Sequence, residues 1–418
     1  MTRCPKSTRI LGVEMTETHK PRRQLDVILV EFLPSGGMFQ FTFQFAQALS
    51  LAGHRVHLIT GPRPELVSSS PNLKVVEALP TWHPNADLGS PSLRRKVRRV
   101  GRALLLAESW RRVLKYVREN RPDIIQFGDL RYALDTSSLL VVAKYGGAKA
   151  VVDVAHNPLP YDVTSRTRAV EKSGRLSRAL LSRAYRACDL VLVLGEGPKA
   201  ELMGAFPDVK RAVVCGHGDY SAVLTSHNVP APSTVPPRLL FFGSWTKYKN
   251  IPLMLDAFEM VRATHPEARL TIAGPVMPDV DENHITERAD RIGNVDLKPG
   301  YIAMNDLPEL FGSHRALVYS YATVNISGSI HMAYTFGRPV LATDVGSMRD
   351  AVEDGVTGLI TASDPSSIAE AMLRILRDDD LADRMGENAG RHARDASSWA
   401  GVAERAVAGY MDVLPSEP

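Results

Sequence analysis

Short apolar runs alternate along this chain with longer segments in which apolar residues recur at helical spacing. Runs of about four to eight residues rich in Val, Ile and Leu predict buried strands, and apolar residues three and four apart predict helices. In the first half, the strands predicted in this way are 25–33, 54–61, 73–79, 122–129, 148–157 and 188–197. Because such runs are buried on both faces, their alternation with helices predicts a parallel sheet covered on both sides.

The same pattern starts again after a proline-rich segment. Residues 225–238 contain four prolines and little apolar sequence, which predicts an extended linker. The strands predicted beyond it are 238–244, 268–275, 294–302, 315–321, 338–344 and 357–362. The expected fold class is therefore α/β, with two doubly wound, Rossmann-like domains facing a cleft.

These patterns set the expected domain boundaries. We predict a disordered leader, an N-terminal Rossmann-like domain, a linker, a C-terminal Rossmann-like domain, and a terminal helix that packs back toward the first domain. Their ranges are 1–24, 25–224, 225–238, 239–396 and 397–418.

Length and composition agree with two soluble domains. A chain of 418 residues fits two domains of about 200 residues. No apolar run reaches the roughly 18 residues of a membrane-spanning helix. Cys4, Cys188 and Cys215 fit neither a disulfide framework nor a zinc site, and residues 1–24 lack the apolar core of a secretory signal. We therefore expect a cytoplasmic protein.

Charge is distributed unevenly. Residues 1–220 hold 33 Lys and Arg against 20 Asp and Glu, whereas residues 221–418 hold 17 against 26. Much of the basic excess lies in 92–120, a predicted helix. The residues expected to share its apolar stripe are Val97, Val100, Leu104, Leu105, Trp110, Val113 and Leu114. Two interpretations stay open. The helix packs against the core with a solvated basic face, or it lies on the anionic lipids of the inner face of the cell membrane. No nucleic-acid-binding module is recognisable, so we expect no nucleic-acid partner.

Candidate chemistry lies where predicted strands end, because ligands of doubly wound sheets bind at the carboxyl ends of the strands. Gly36 and Gly37 follow the first strand and would let backbone amides approach a phosphate, although a plain tight turn would also use them. His156 ends another strand, where its imidazole could contact a sugar hydroxyl or a developing charge. A structural or surface histidine is the alternative.

Two further strand ends in the second half carry polar groups. After Gly243, a short loop holds Lys247 and Lys249, which could bind a departing diphosphate or simply be solvated. Ser327 and Gly328 open a predicted helix and offer a hydroxyl and free amides to phosphate or ribose, or serve only as a cap.

Several motifs together resemble one family. They are "PSGGM", "AHN", "GHGDY", "FFGSWTKYKN", "TIAGP", "GYIAMNDLPELF", the "SG" turn, "AYTFGRPVLATDVGSMRDAVEDGVTGLI" and the terminal "SW". In order and spacing they resemble family-four retaining glycosyltransferases of the GT-B fold, over residues 26–412. "AHN", "HGDY" and "AYTFGRPVLATDVG" most resemble bacterial members that build exopolysaccharides and related glycans.

The resemblance implies a metal-independent hexosyltransferase without a cofactor, using a UDP- or GDP-sugar donor and a glycan or lipid-linked acceptor. By the same resemblance, the N-terminal domain binds the acceptor and the C-terminal domain binds the nucleotide-sugar donor. Gly36 and Gly37 would then face the diphosphate, His156 would lie near the donor sugar, and Lys249 would neutralise the leaving diphosphate. His156 and Lys249 are thus the candidate catalytic residues.

The chain departs from the family pattern at two places. Ser244 stands where the family usually has an arginine, so Lys247 or another cation would have to help. Val324 and Met332 stand where members commonly carry two glutamates, and Tyr321 replaces the glutamate of the related "EATQSG" motif. Polar replacements in this segment are Thr323, Asn325 and Ser327. A non-catalytic GT-B protein that binds glycan or a partner transferase therefore stays open, as does a sugar-nucleotide epimerase.

Overall fold

A computed structural model of the chain describes residues 23–81, 92–128, 130, 133–159, 175–220, 229–323, 328–346, 348–395 and 397–416. The predicted leader falls almost wholly outside these residues, as do Asn325 and Ser327 of the candidate site. In the described part of the chain, no helix is both long and apolar enough to cross a membrane.

The first domain is built on a seven-stranded parallel sheet in the order β3-β2-β1-β4-β5-β6-β7. Its strands are β1 Asp26–Val30, β2 Arg55–Thr60, β3 Leu73–Glu77, β4 Ile124–Phe127, β5 Ala150–Ala155, β6 Leu190–Val193 and β7 Ala212–Val214. The six predicted strands are all present. The sequence pattern missed β7, whose three half-buried residues are too few to show a periodicity.

Helices cover both faces of this sheet. They are α1 Gly37–Leu51, α2 Ser92–Asn120, α3 Ala133–Tyr145, α4 Arg175–Ala187 and α5 Glu196–Ala205. Along β1, Val27 and Leu29 join one hydrophobic cluster and Ile28 and Val30 join the other. Successive side chains of a strand point to opposite faces, so both faces of the sheet are buried as the apolar run predicts.

The second domain contains a six-stranded parallel sheet in the order β10-β9-β8-β11-β12-β13. Its strands are β8 Arg238–Phe242, β9 Arg269–Gly274, β10 Val295–Pro299, β11 Ala316–Tyr319, β12 Val340–Thr343 and β13 Gly358–Thr361. Its helices are α6 Ile251–Thr264, α7 Glu282–Ile292, α8 Leu307–Gly312, α9 Gly328–Thr335, α10 Met348–Ala351, α11 Pro365–Arg377 and α12 Asp379–Asp395, with 3-10 turns at Pro232–Thr234, Lys247–Lys249 and Met304–Asp306. The predicted fold class, two Rossmann-like domains, is confirmed.

The buried stripe of α2 differs from the predicted one. Leu106, Trp110 and Val113 pack into the core of the first domain, together with Val117. Leu104 is 67% exposed and Leu105 is 39% exposed. At about 100° per residue, Leu104 lies on the side of the helix opposite to Leu106, so the prediction that Leu104 and Leu105 share one stripe with Trp110 and Val113 was wrong.

The described part of the predicted linker is fixed to the second domain. Ser233 donates from its backbone N–H and its hydroxyl to the carboxylate of Asp383, at 2.8 and 2.6 Å. The buried guanidinium of Arg338 donates to the carbonyl of Pro230 at 2.7 Å, and that of Arg315 donates to the carbonyl of Val235 at 3.2 Å. Residues 229–237 are therefore attached to this domain rather than forming a free tether.

The last helix, α13 Trp399–Val413, returns to the first domain. Trp399, Val402 and Tyr410 belong to the cluster on one face of the first sheet. The chain passes from the first domain to the second after Asp219 and returns near Ser397. These two segments are in contact, because Asp219 donates its N–H to the carbonyl of Ser397 at 2.7 Å. The indole N–H of Trp399 donates to the carbonyl of Asp219 at 2.5 Å.

Candidate active site

Several candidate residues follow the strands at which each sheet reverses its order, and His156 follows β5, one strand further along the first sheet. In the first sheet β1 lies between β2 and β4, and in the second sheet β8 lies between β9 and β11. At such a point the loops after neighbouring strands diverge and leave a crevice at the carboxyl edge of the sheet. Gly36 follows β1, so it lies at the crevice of the first sheet. Gly243 follows β8 and Tyr321 follows β11, so both lie at the crevice of the second sheet.

The glycine loop after β1 needs glycine for its backbone and has open space above it. Gly36 has φ +88°, in the region that favours glycine, and lies directly before α1. A Cβ added at Gly36 or Gly37 would meet no atom within 4 Å. A ligand can therefore approach the backbone here without a side chain in the way.

The amide of Gly36 already has an acceptor from another loop. Glu65 accepts from the Gly36 N–H at 3.1 Å and from the Gln40 side-chain amide at 3.2 Å. Tyr301, which follows β10 in the second domain, donates its hydroxyl to the same carboxylate and accepts from Gln40 at 3.3 Å. Partial burial and the neighbouring carboxylate raise the pKa of Tyr301 well above its ordinary value. This cluster bridges the two domains at the start of α1.

His156 lies directly after β5 and is partly buried. Its ring meets the ring of Phe41 edge to face, with centroids 4.5 Å apart. Phe41 is buried in α1 and also contacts His217, at 5.1 Å, and Trp399, at 5.2 Å. Phe41 thus connects His156 to the boundary between the domains.

Across that boundary, His217 of the "GHGDY" motif stacks on His331 of α9. The Nδ1 of His217 is 2.6 Å from the carbonyl oxygen of Gly218, and burial lowers the pKa of its ring to about 4. Burial also lowers the pKa of His331, and the nearby His217 and His392 lower it further. Both rings are therefore neutral near pH 7.

The start of α9 lies against this pair. A Cβ added at Gly328 would be 3.2 Å from Nε2 of His217 and 3.2 Å from the hydroxyl of Tyr220. Glycine thus lets the first turn of α9 approach the end of the first domain closely. Helix N-termini carry free N–H groups and favour anions, so this turn suits a phosphate or hydroxyl oxygens. Thr323, partly buried, precedes the undescribed residues 324–327.

The two candidate lysines have different surroundings. Lys247 is exposed, and its backbone N–H donates to Asp279 at 2.9 Å. Lys249 is 7% exposed, and its Nζ lies over Gly243, where an added Cβ would collide with it. Burial lowers the pKa of Lys249, and Tyr248 opposes this shift. Lys249 is the lysine that lies over Gly243 at the end of β8.

The two positions at which the family resemblance leads us to expect glutamates, 324 and 332, hold Val and Met and supply no acid. Met332 is 4% exposed and packs in the core of the second domain, so its side chain faces away from any ligand. Val324 lies outside the described residues. Among the residues described, no group of three or more His, Cys, Asp or Glu side chains is arranged to hold a metal ion.

Sequence reasoning missed Glu65, Tyr301 and the histidine pair. Glu65 follows β2 and Tyr301 follows β10, so the strand-end rule applied to every strand could have singled out both. His217 lies in the "GHGDY" motif and His331 follows the "SG" turn, but no local pattern indicates that their rings meet.

The fold and these strand ends define a class of protein. Residues 35–218 match the family model described as Glycosyltransferase Family 4, and residues 236–378 match the model described as Glycosyl transferases group 1. The first match spans β2 to β7, the second spans β8 to β13, and together they span most of the chain. The chain belongs to these glycosyltransferases.

Individual curated relatives share less than a third of their aligned residues with this chain. The chain is 29% identical over 184 residues to the D-inositol 3-phosphate glycosyltransferase of Corynebacterium glutamicum, across 42% of this chain and 44% of the relative. It is 27% identical over 248 residues to the protein of that name from Streptomyces coelicolor, across 56% and 53%. Mannosylfructose-phosphate synthase of Agrobacterium fabrum is 24% identical over 178 residues, across 41% and 39%. The chain spans about half the length of the curated relatives it matches.

Solved structures share the whole fold. Sucrose-phosphate synthase from Thermosynechococcus elongatus superposes with a TM-score of 0.69 and 18% identity, covering 94% of this chain and 99% of that one. Anabaena HepE, solved with UDP and glucose, gives a TM-score of 0.67 and 14% identity, covering 94% and 100%. WaaG, a glycosyltransferase involved in lipopolysaccharide biosynthesis, gives a TM-score of 0.62 and 18% identity, covering 94% and 100%. At these identities the likeness shows the GT-B fold.

Proposed function

We propose that this protein transfers a hexose from a nucleotide-sugar donor to a hydroxyl of a glycan or lipid-linked glycan, in the synthesis of cell-surface polysaccharide. The observation that carries the proposal is the buried ammonium of Lys249, which lies over Gly243 where β8 ends. A buried positive charge at the carboxyl edge of a doubly wound sheet suits a diphosphate, which leaves with extra negative charge when the sugar is transferred. UDP is the first nucleotide to test, because HepE was solved with UDP-glucose.

In this proposal the second domain holds the donor and the first holds the acceptor. The acceptor oxygen forms a bond to the anomeric carbon of the sugar while the bond from that carbon to the diphosphate oxygen breaks. The diphosphate keeps the bonding electron pair, and the acceptor proton is released to it or to water. Lys249 and the first amides of α9 stabilise the developing charge, and His156 contacts the donor sugar from across the cleft.

The proposal does not require the missing glutamates. Lys247, Thr323, Asn325 and Ser327 offer ammonium, hydroxyl and amide groups that can bind phosphate, ribose or sugar oxygens in their place. Gly36 and Gly37 supply backbone amides on the other side of the cleft. Electrostatic stabilisation by the lysine and by backbone amides also fits a reaction that needs no metal ion or further cofactor.

The decisive experiment measures donor binding and then turnover. Purified protein is titrated calorimetrically with UDP-glucose, UDP-galactose, UDP-N-acetylglucosamine and GDP-mannose. The donor that binds is then incubated with and without a glycan extract, and released nucleoside diphosphate is measured. We expect release only when acceptor is present, and its loss in His156→Ala with the fold retained.

Each alternative gives a different result. A non-catalytic glycan-binding protein binds glycan but none of the four nucleotide sugars. An epimerase converts the sugar of the donor without acceptor. Full transfer activity in His156→Ala would overturn the role given to that residue.

We also propose that α2 lets the enzyme contact an anionic membrane. Its inner side packs in the core, while its outer side exposes Leu104 and Leu105. Further along the helix, Arg111, Arg112 and Lys115 are exposed and form ion pairs with Glu108 and Glu119. Exposed leucines among basic residues can insert at a lipid interface while the cations bind headgroups. A lipid-linked acceptor would be found at such a surface.

A further inference from the structure

The ammonium of Lys249 is surrounded by aromatic rings. Its Nζ lies 5.5 Å from the ring centroid of Tyr321, 5.7 Å from that of Phe241 and 6.0 Å from that of Tyr248. All three distances are within about 6 Å, the range in which a ring face attracts a cation. We call Phe241, Tyr248 and Tyr321 the aromatic cage.

No acid neutralises this charge within the part of the chain that the structure describes. The charged form of Lys249 is disfavoured by burial, and the titratable neighbour that affects its pKa is Tyr248, not an aspartate or glutamate. A buried ammonium without a carboxylate is costly unless other groups stabilise it. Ring faces do so without forming an ion pair that a ligand would have to break.

Hydrogen bonds fix the cage to the turn that carries Lys249. The hydroxyl of Ser320 donates to the carbonyls of Lys249, at 3.2 Å, and Asn250, at 3.0 Å. The N–H of Ala322 donates to the carbonyl of Tyr248 at 2.7 Å. The end of β11 is thus tied to residues 248–250 on both sides of Tyr321.

Tyr321 itself is held from a second direction. Thr343, at the end of β12, donates its hydroxyl to the Tyr321 carbonyl at 2.7 Å. The Tyr321 ring also meets Tyr248 edge to face, with centroids 5.8 Å apart, and lies 5.3 Å from the ring of Tyr319. With 1% of its surface exposed, this side chain is a fixed wall beside the ammonium.

We propose that Tyr321 is a positioning residue for Lys249: the aromatic cage holds the ammonium over Gly243 without an acidic partner, so that its whole charge is available to the donor diphosphate. This inference rests on the proposed function, because it assigns the cage to the donor site of that reaction.

The test compares two substitutions of the same ring. Tyr321→Phe keeps the ring face and Tyr321→Leu removes it while keeping a buried apolar side chain. Phe336→Leu is the matched control, because Phe336 is a buried ring of the same domain that stacks on Phe311 at 4.9 Å. Affinities for UDP and for uridine, which lacks the diphosphate, are measured by calorimetry for each variant, and folding is checked by thermal melting.

We expect Tyr321→Leu to weaken UDP binding about five- to tenfold and uridine binding less than about twofold, as loss of a buried cation–π contact predicts. Tyr321→Phe should bind UDP like the wild type. Phe336→Leu should melt at a lower temperature, as Tyr321→Leu does, without changing the ratio of UDP to uridine affinity. Lys249→Met should abolish the preference for UDP over uridine.

A pH profile separates positioning from general destabilisation. In the wild type, UDP affinity should fall as pH rises through the lowered pKa of Lys249. Tyr321→Leu removes a ring face that stabilises the charged ammonium while the site stays apolar, so the pKa of Lys249 should fall further and the loss of UDP affinity should move to lower pH. Equal UDP-to-uridine ratios and superimposable pH profiles for Tyr321→Leu and wild type would overturn the inference while leaving the proposed function intact. Failure of the wild type to bind any nucleotide would overturn both.

Discussion

The imidazole rings of His217 and His331 lie parallel across the domain boundary, with centroids 4.4 Å apart and planes 5° apart. Each ring belongs to a different domain, so their contact depends on how the domains are oriented. Two stacked imidazoles tolerate each other while neutral, but protonating both would place like charges in a buried contact.

This contact predicts an acid-sensitive fold. In the folded protein burial lowers the pKa of His217 to about 4, whereas in the unfolded chain it returns to about 6.5. The unfolded state therefore binds more protons between these values, and stability should be complete above about pH 6.5 and fall as pH decreases toward 4. Because burial also lowers the pKa of His331, the free energy of unfolding of His331→Phe should fall less on acidification than that of wild type, as thermal melts across this range can show.

His284, which is exposed, provides the control for this measurement. His284→Ala should keep the wild-type pH profile. If His331→Phe keeps it as well, the histidine pair does not cause the acid sensitivity.

Substituting Gly243 should disturb the donor site through Lys249. Gly243→Ala forces a side chain onto φ +139° and into the ammonium of Lys249, so both the backbone and the lysine must shift. We expect a loss of stability of about 1–3 kcal/mol and, in addition, weaker UDP binding. Gly300→Ala is the matched control, because Gly300 has φ +113° with open space around it. It should lose stability and keep UDP affinity; equal UDP affinities in the two variants would count against the role of Gly243.

Glu65 should compete with the diphosphate for the glycine loop. Its carboxylate accepts from the Gly36 amide at the start of α1, where an anionic ligand would bind. Glu65→Gln removes that charge and should strengthen UDP binding about two- to fivefold. Glu77→Gln serves as control, since Glu77 likewise accepts from a loop N–H, that of Arg63, at 2.8 Å. Unchanged or weaker UDP binding in Glu65→Gln would show that the carboxylate does not compete.

The exposed leucines of α2 should control membrane binding. We expect the wild type to sediment with phosphatidylglycerol vesicles but not with phosphatidylcholine vesicles, and to be released by about 0.5 M salt. Leu104→Asn combined with Leu105→Asn should reduce binding, whereas Val67→Asn, at another exposed apolar residue, should not. Absence of wild-type binding at low salt would leave core packing as the function of this helix.

Local sequence predicted most of the fold because parallel strands buried on both faces read as apolar runs. The strand ends followed from the same pattern, which is why Gly36, His156 and Lys249 could be named. The prediction of which side of α2 is buried was wrong because leucines occur on both sides of this helix. Periodicity alone did not distinguish the exposed Leu104 from the buried Leu106.

Contacts between the domains could not be predicted in this way. Glu65 and Tyr301 are 236 positions apart, and their hydrogen bond forms only when two separately folded sheets adopt one relative orientation. The aromatic cage was also missed. Phe241 and Tyr248 lie in β8 and the turn after it, whereas Tyr321 follows β11, and these two strands are distant in sequence but paired in the sheet.

The hydrogen bond between Asp219 and Ser397 has a mechanical consequence. It holds together the two chain segments that connect the domains, one leaving the first domain and one returning to it. The two covalent connections between the domains therefore lie side by side. We expect opening and closing of the cleft to be a rotation about these two connections, with Trp399 near the pivot.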